Sequence, residues 1–224
     1  MDGDANVAAT ARIRNAQDLL VFMEEFEPGS VERCRKHCSP ELLELLDHAS
    51  KTTWIPLETD AEFVDAVVAT YGEDRAEELW FEYSTRFVQT PLMRALFDGA
   101  VRLFGLSVGS LLKIVPRIWG TSYREAGEVE FERTSKYTGT LVMRDLPDAM
   151  NDRRGYYILL RGMFRGLYRL TRTREDFDFR HVVRAAEFRA TFRWPSRSKK
   201  AEAGAADSLS DGRVQAIEDE PSLR

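Results

Sequence analysis

Cysteine and histidine are scarce in this chain, at two and three among 224 residues. Two cysteines cannot build a disulfide framework, so a reducing, cytoplasmic setting is the expectation. Positive charge is not in excess either. With a formal net charge of −5 and a pI near 5.4, bulk attraction to nucleic acid or to an anionic membrane is not expected. Uninterrupted apolar runs are missing as well. The most apolar stretch, 92–115, carries Arg94, Asp98, Arg102 and Lys113, and each charge would cost roughly 2.5–3.5 kcal/mol near a bilayer centre. It therefore reads as a buried pair of helices and not as a membrane span. The start, Met1-Asp2-Gly3-Asp4-Ala5, lacks the basic-then-apolar order of a secretory signal. No internal repeat is present, Ser84, Ser107 and Ser110 have no Gly-x-Ser-x-Gly context, and no glycine-rich phosphate loop follows a strand. A catalytic constellation is absent, and a non-enzymatic protein is expected.

What is present reads as one α/β (α+β) domain over 11–194, with a frayed start over 1–10 and a polar, disordered tail over 195–224. The first half is helical. A helix is expected from Asn15 to Pro28-Gly29, another from Ser30, and a third from the Ser39-Pro40-Glu41 start signal. Thr59-Asp60-Ala61-Glu62 fits a capping box for a helix ending at Gly72. Helices are expected from Asp74, from Thr90-Pro91 and from Ser107, with Pro116 kinking or ending the last.

At Gly127 the period changes from that of a helix to that of a strand. Val129 and Phe131 alternate with Glu128, Glu130 and Glu132, and Thr138 to Asp145 suits a second strand with Leu141 and Met143 inward. A long helix over 151 to about 172 follows, then strands over 177–183 and 187–194. The last two should be antiparallel neighbours, because the link between them is short. The result is a four-stranded antiparallel β-β-α-β-β unit behind a helical N-terminal half.

The signposts, in order, are Trp54-Ile55-Pro56, Thr90-Pro91, Leu103-Phe104-Gly105 with Leu111-Leu112, and Pro116 with Trp119. Tyr123-Arg124 with Gly127, Gly162 with Gly166, and Trp194 complete them. In this layout the chain resembles a family best represented in myxobacteria and without an assigned activity. That family is related to the 4-vinyl-reductase-like sensory domains, the haem–nitric-oxide-binding domains and the transport-protein-particle (TRAPP) subunits. The resemblance, over roughly 33–194, implies helices packed on a four-stranded antiparallel sheet. It further implies either a hydrophobic ligand held between helices and sheet or dimerisation.

Haem-binding relatives use a proximal histidine from the helical region and a tyrosine–serine–arginine run. Here His37, His48 and His181 all lie outside 92–119, and Tyr137 is followed by Thr138-Gly139; no haem and no other cofactor is expected. Cys34 and Cys38, one helical turn apart, could reach one ion with His48, but a structural zinc wants four ligands, so no metal is expected.

Four further groups complete the candidates. Trp80, Phe97, Phe104, Leu112 and Trp119 are candidate pocket walls, with Tyr123 and Arg124 at the junction of helices and sheet. Arg161, Arg165, Arg169 and Arg172 form a cationic stripe on the long helix, a candidate partner-binding face. The plainer reading of the stripe is a solvated face paired with Glu128, Glu130 and Glu132. Gly162 and Gly166, one turn apart, suggest close approach of another backbone. Asp60, Glu62, Glu73, Asp74, Glu77 and Glu78 read as first-turn and solvent-face acids. Two functions follow. The first is a sensory or regulatory module that takes a small hydrophobic ligand and forms a homodimer. The second is an interaction subunit that docks a protein partner through the stripe.

Overall fold

A computed structural model of the chain describes residues 8–89 and 91–195, without the side chains of Pro91, Leu92, Met93, Leu96, Ala100, Val101 and Phe104. Segments 1–7 and 196–224, most of the frayed start and tail read from the sequence, lie outside the described residues.

The helical half contains α1 (Ile13–Phe26), α2 (Ser30–Arg35), α3 (Pro40–His48), α4 (Leu57–Tyr71) and α5 (Glu73–Phe87). It continues with α6 (Pro91–Phe104), α7 (Val108–Leu112) and α8 (Val115–Ser122). Local chemistry explains several of these boundaries. The Ser39 hydroxyl accepts from the Leu42 amide, with Pro40 in the first turn of α3. Gly72, at φ +74°, ends α4 and opens α5, a left-handed conformation that favours glycine. Pro116 divides the expected final helix, and it falls in the first turn of α8, where a missing N–H costs nothing.

The second half holds β4 (Glu128–Arg133), β5 (Thr138–Arg144), α9 (Asp148–Asn151), α10 (Arg154–Leu170), β6 (Phe177–Val182) and β7 (Glu187–Arg193). The sheet is four-stranded and antiparallel, in the order β4-β5-β7-β6. This is the helix-plus-sheet architecture expected from the period change at Gly127.

A second, three-stranded sheet had no counterpart in the sequence reading. In it β1 (Thr10–Arg12) pairs with β2 (Trp54–Pro56) on one side and β3 (Tyr123–Arg124) on the other. It ties the start of α1 to the start of α4 and the end of α8. Segments of two or three residues are too short to show alternation, which is why they were invisible.

The helix α10 lies between the sheet and α5. Toward the sheet it presents aromatics: Phe164 meets Phe179 and Phe192 edge-on, with centroids 5.4 Å away in each case, and Tyr157 stacks on Phe179 at 4.8 Å. Toward α5 it presents glycine. A Cβ on Gly162 would stand 2.6 Å from the Glu77 carbonyl oxygen and 2.9 Å from Trp80 Cβ, and one on Gly166 would overlap Ser84. The glycine pair therefore serves the close crossing of α5 and α10.

Two expectations are corrected here. The arginine stripe does not face the Glu128, Glu130 and Glu132 row. Arg165 pairs with Glu77 (2.9 Å), Glu175 (3.2 Å) and Glu78 (3.6 Å), Arg161 pairs with Glu77 (3.4 Å), and Arg169 pairs with Glu82 (2.5 Å). The glycine crossing brings α5 so close that its acids, not those of β4, are within reach. Arg144 of β5 takes Glu130 and Glu132 instead. The stretch 92–115 is also not a buried helix pair throughout. While α7 is buried along its length, α6 exposes Arg94, Ala95, Asp98 and Arg102, and Leu103 is 77% exposed. Among the described residues, no helix is long and apolar enough to cross a membrane.

Candidate functional site

The strongest site feature is a cavity of about 170 Å³ under the α5–α10 crossing, walled by helices. Ala16 and Leu19 of α1, Phe63 and Val64 of α4, and Trp80, Tyr83 and Phe87 of α5 close one side. Val115, Ile118 and Trp119 of α8, followed by Tyr123, face Leu160, Met163 and Phe164 of α10 across it. Met143 is the contribution of the large sheet. The walls follow from ordinary amphipathic patterning: each helix turns its apolar stripe inward, and the bulky aromatics leave space where five helices meet.

Polar side chains are a minority of this lining, and besides the aromatic residues they are Asn15, Asp60, Ser84 and Ser122. Asp60, from the first turns of α4, is 3% exposed. Its Oδ2 accepts a hydrogen bond from the Tyr156 hydroxyl of α10 at 2.6 Å. Burial pushes the Asp60 carboxyl up to about 6 from its ordinary 3.8, and the Tyr156 hydrogen bond only partly offsets that rise. No cation of the chain contributes to holding it ionised.

A further polar group is the indole N–H of Trp119, which is buried without a hydrogen-bond partner. Leaving such a donor unpaired costs about 1–3 kcal/mol. Tyr83 and Tyr123 add two phenols whose ionisation burial opposes, with no hydrogen bond to counter it. Tyr123 also lies against Trp119, with ring centroids 4.4 Å apart.

Of the candidate pocket walls, Trp80, Trp119 and Tyr123 line the cavity. Leu112 does not; it is fully buried in the core of α7. Phe97 is half-buried on α6 and lies outside the lining, and the Phe104 side chain lies outside the described residues. Arg124 points elsewhere: its guanidinium sits 4.0 Å from the Trp54 ring, as does that of Arg12. Arg161, Arg165 and Arg169 are engaged along the α5–α10 seam, and Arg172 is an exposed residue just past α10, at φ +52°.

Asp60 is the functional candidate that sequence reasoning passed over. The Thr59–Glu62 pattern suggested a helix start with its acids in solvent, but α4 begins at Leu57. Glu62 instead reaches the neighbouring helix start, accepting from the Ser39 amide (2.5 Å) and hydroxyl (3.2 Å). A usable signal was present: Asp60 shares its helical stripe with Phe63, Val64 and Val67, all buried.

Metal-ligating groups are dispersed. Cys34 is buried and the Cys38 thiol donates to the Cys34 carbonyl oxygen at 3.4 Å, while His48 is exposed beside Glu44. Among the described residues, no group of three or more His, Cys, Asp or Glu side chains is placed to hold a metal ion. His181, on β6, is hydrogen-bonded to Asn151 at 3.0 Å, and burial lowers its pKa. None of the three histidines lines the cavity.

No protein-family model and no curated protein matches the chain. Solved structures do. An Fe(II) unliganded H-NOX protein mutant from K. algicida matches with a TM-score of 0.58 at 11% identity, over 84% of this chain and 97% of that one. The unmutated K. algicida protein gives 0.56 at 11%, over 83% and 96%. An oxygen-binding H-NOX domain related to soluble guanylate cyclases gives 0.56 at 8%, over 83% and 95%. At these identities the likeness concerns the fold, and it falls on the haem–nitric-oxide-binding branch of the resemblance. The chain has an α+β fold of the H-NOX type.

Proposed function

We propose that this protein is a non-enzymatic sensory or regulatory module whose ligand is a small, largely apolar molecule held in the helix-walled cavity. The observation that carries the reading is the cavity, apolar on nearly every side and furnished with a buried carboxyl and an unpartnered indole N–H. An apolar cavity of roughly 150 Å³ is enough to take benzene, so 170 Å³ suits a ligand of one aromatic ring. The H-NOX likeness supports a ligand-binding role coarsely, since one matched structure is described as an oxygen complex.

Haem does not fit these residues. Pockets for ligands smaller than haem already run from roughly 300 Å³ upward, and the cavity has about 170 Å³. No histidine or cysteine lines it, and Tyr137-Thr138-Gly139 stands where the resemblance would call for a tyrosine–serine–arginine run. The docking alternative is less well supported. Arg161, Arg165 and Arg169 already have acidic partners within the chain.

Titration with bromobenzene tests the reading through its heavy-atom quenching of tryptophan. Trp80 and Trp119 line the cavity, whereas Trp54 and Trp194 do not. Saturable quenching that disappears in the Trp80→Phe/Trp119→Phe double variant is expected. Purely linear, collisional quenching in the unaltered protein would refute the proposal.

A further inference from the structure

We propose that the ligand of this cavity is a small apolar amine of about benzylamine's size, with its ammonium group seated at the Asp60 carboxylate. The inference rests on the ligand-cavity reading above and gives it a chemical class.

A buried carboxylate normally has a cation or several hydrogen-bond donors around it. Asp60 has one donor, the Tyr156 hydroxyl, and lacks a compensating cation. If the Asp60–Tyr156 contact merely tied α4 to α10, an asparagine would serve as well without a charge to bury. An ionised carboxylate only accepts hydrogen bonds, so the matching ligand must donate. The rest of the wall favours a cation too. Trp80, Tyr83, Phe87, Trp119 and Tyr123 surround the space, and aromatic faces attract ammonium groups. A hydrocarbon would leave the carboxylate uncompensated, and an anion would be repelled by it.

Besides Asp60, the groups in the cavity wall that can titrate are Tyr123 from β3 and Tyr83 from α5, and Tyr156 from α10 is hydrogen-bonded to Asp60. All three have pKa values raised by burial and stay neutral at physiological pH. Asp65 lies farther along α4 and acts on Tyr156. Asp60 is therefore the group that changes charge between pH 5 and pH 7.5 in this cavity.

The test is calorimetric titration of the full chain with benzylamine, benzyl alcohol and toluene, at pH 7.5 and pH 5, with the unaltered protein and Asp60→Asn. At pH 7.5 benzylamine should bind at least tenfold more tightly than toluene, as a hydrogen bond to a charged group implies. The advantage should vanish in Asp60→Asn, whose toluene affinity is the control for an intact cavity. At pH 5, with Asp60 mostly protonated, benzylamine affinity should fall on the order of tenfold while toluene stays unchanged. Equal binding of all three probes would overturn the amine assignment and leave the cavity reading standing. Binding of none would overturn both. An amine preference that persists in Asp60→Asn would also overturn the assignment. If Asp60→Asn does not fold, the pH 5 comparison decides.

Discussion

Replacing Asp60 by asparagine should change how stability depends on pH, and the size of that change follows from the site. The folded-state pKa of Asp60 is about 6, against 3.8 for an unburied aspartate. The native state thus holds a proton that the unfolded chain has released between those values. The sign is fixed by that difference: where the native state binds more protons, stability falls as pH rises. The loss begins near pH 3.8, is complete somewhat above pH 6, and amounts to about 3 kcal/mol for a shift of roughly two units. Asparagine keeps an acceptor for the Tyr156 hydroxyl but does not ionise. Its amide lacks an assured acceptor in the cavity, a cost of about 1–3 kcal/mol, but that cost does not vary with pH. Carboxylates held low by partners, such as Asp18 and Asp47, act in the opposite direction and cancel between the two proteins. The measurement is urea unfolding of both proteins from pH 4 to pH 8. The variant should gain about 2 kcal/mol on the unaltered protein across that range, most of it between pH 4 and 6.5, the remainder of the linkage lying below pH 4. Parallel curves would show that Asp60 is not held in the apolar environment described.

Two further substitutions test the scaffold around the cavity. Gly162→Ala should destabilise by about 1–2 kcal/mol in chemical denaturation, since overpacking at the Glu77 carbonyl outweighs the ~1 kcal/mol gain in helix propensity; a more stable variant would show that the α5–α10 crossing is not tight. Glu77→Gln should cost about 1–2 kcal/mol, because Glu77 is largely buried (13% exposed) and holds both Arg161 and Arg165. Glu82→Gln, which removes one half-exposed pair with Arg169, should cost under about 1 kcal/mol. Equal losses in the same assay would contradict this account of the seam.

Much of the fold was legible because it is written in local patterns. The glutamates alternating with Val129 and Phe131 marked β4 to the residue, and Ser39-Pro40 marked the start of α3. Gly162 and Gly166 announced a close approach, although not that α5 would be the neighbour. The partners of the arginine stripe were misjudged for a related reason. A helical stripe fixes which residues share a face, but which acids lie opposite depends on the packing of α5, encoded far away in the chain. The site was less legible still. A residue lining a void has the same apolar pattern as one packed against a neighbour, so Trp80 and Trp119 could be named as walls but not told apart from Leu112 in the core. Asp60 was hidden by a competing pattern: the capping box around it is satisfied elsewhere, with Glu62 serving Ser39. An acid on an apolar stripe, beside Phe63, Val64 and Val67, was the signal that carried the information.

The most direct test of the cavity as a ligand site is benzene binding, measured by calorimetry on the unaltered protein and on Ala16→Phe. Ala16 is buried in the cavity wall, and a phenyl ring there would occupy much of the 170 Å³. The unaltered protein should bind one benzene saturably and unfold at a higher temperature when benzene is present, as any ligand selective for the folded state requires. The folded Ala16→Phe variant should bind none. No saturable binding by the unaltered protein, or equal binding by both, would contradict the account.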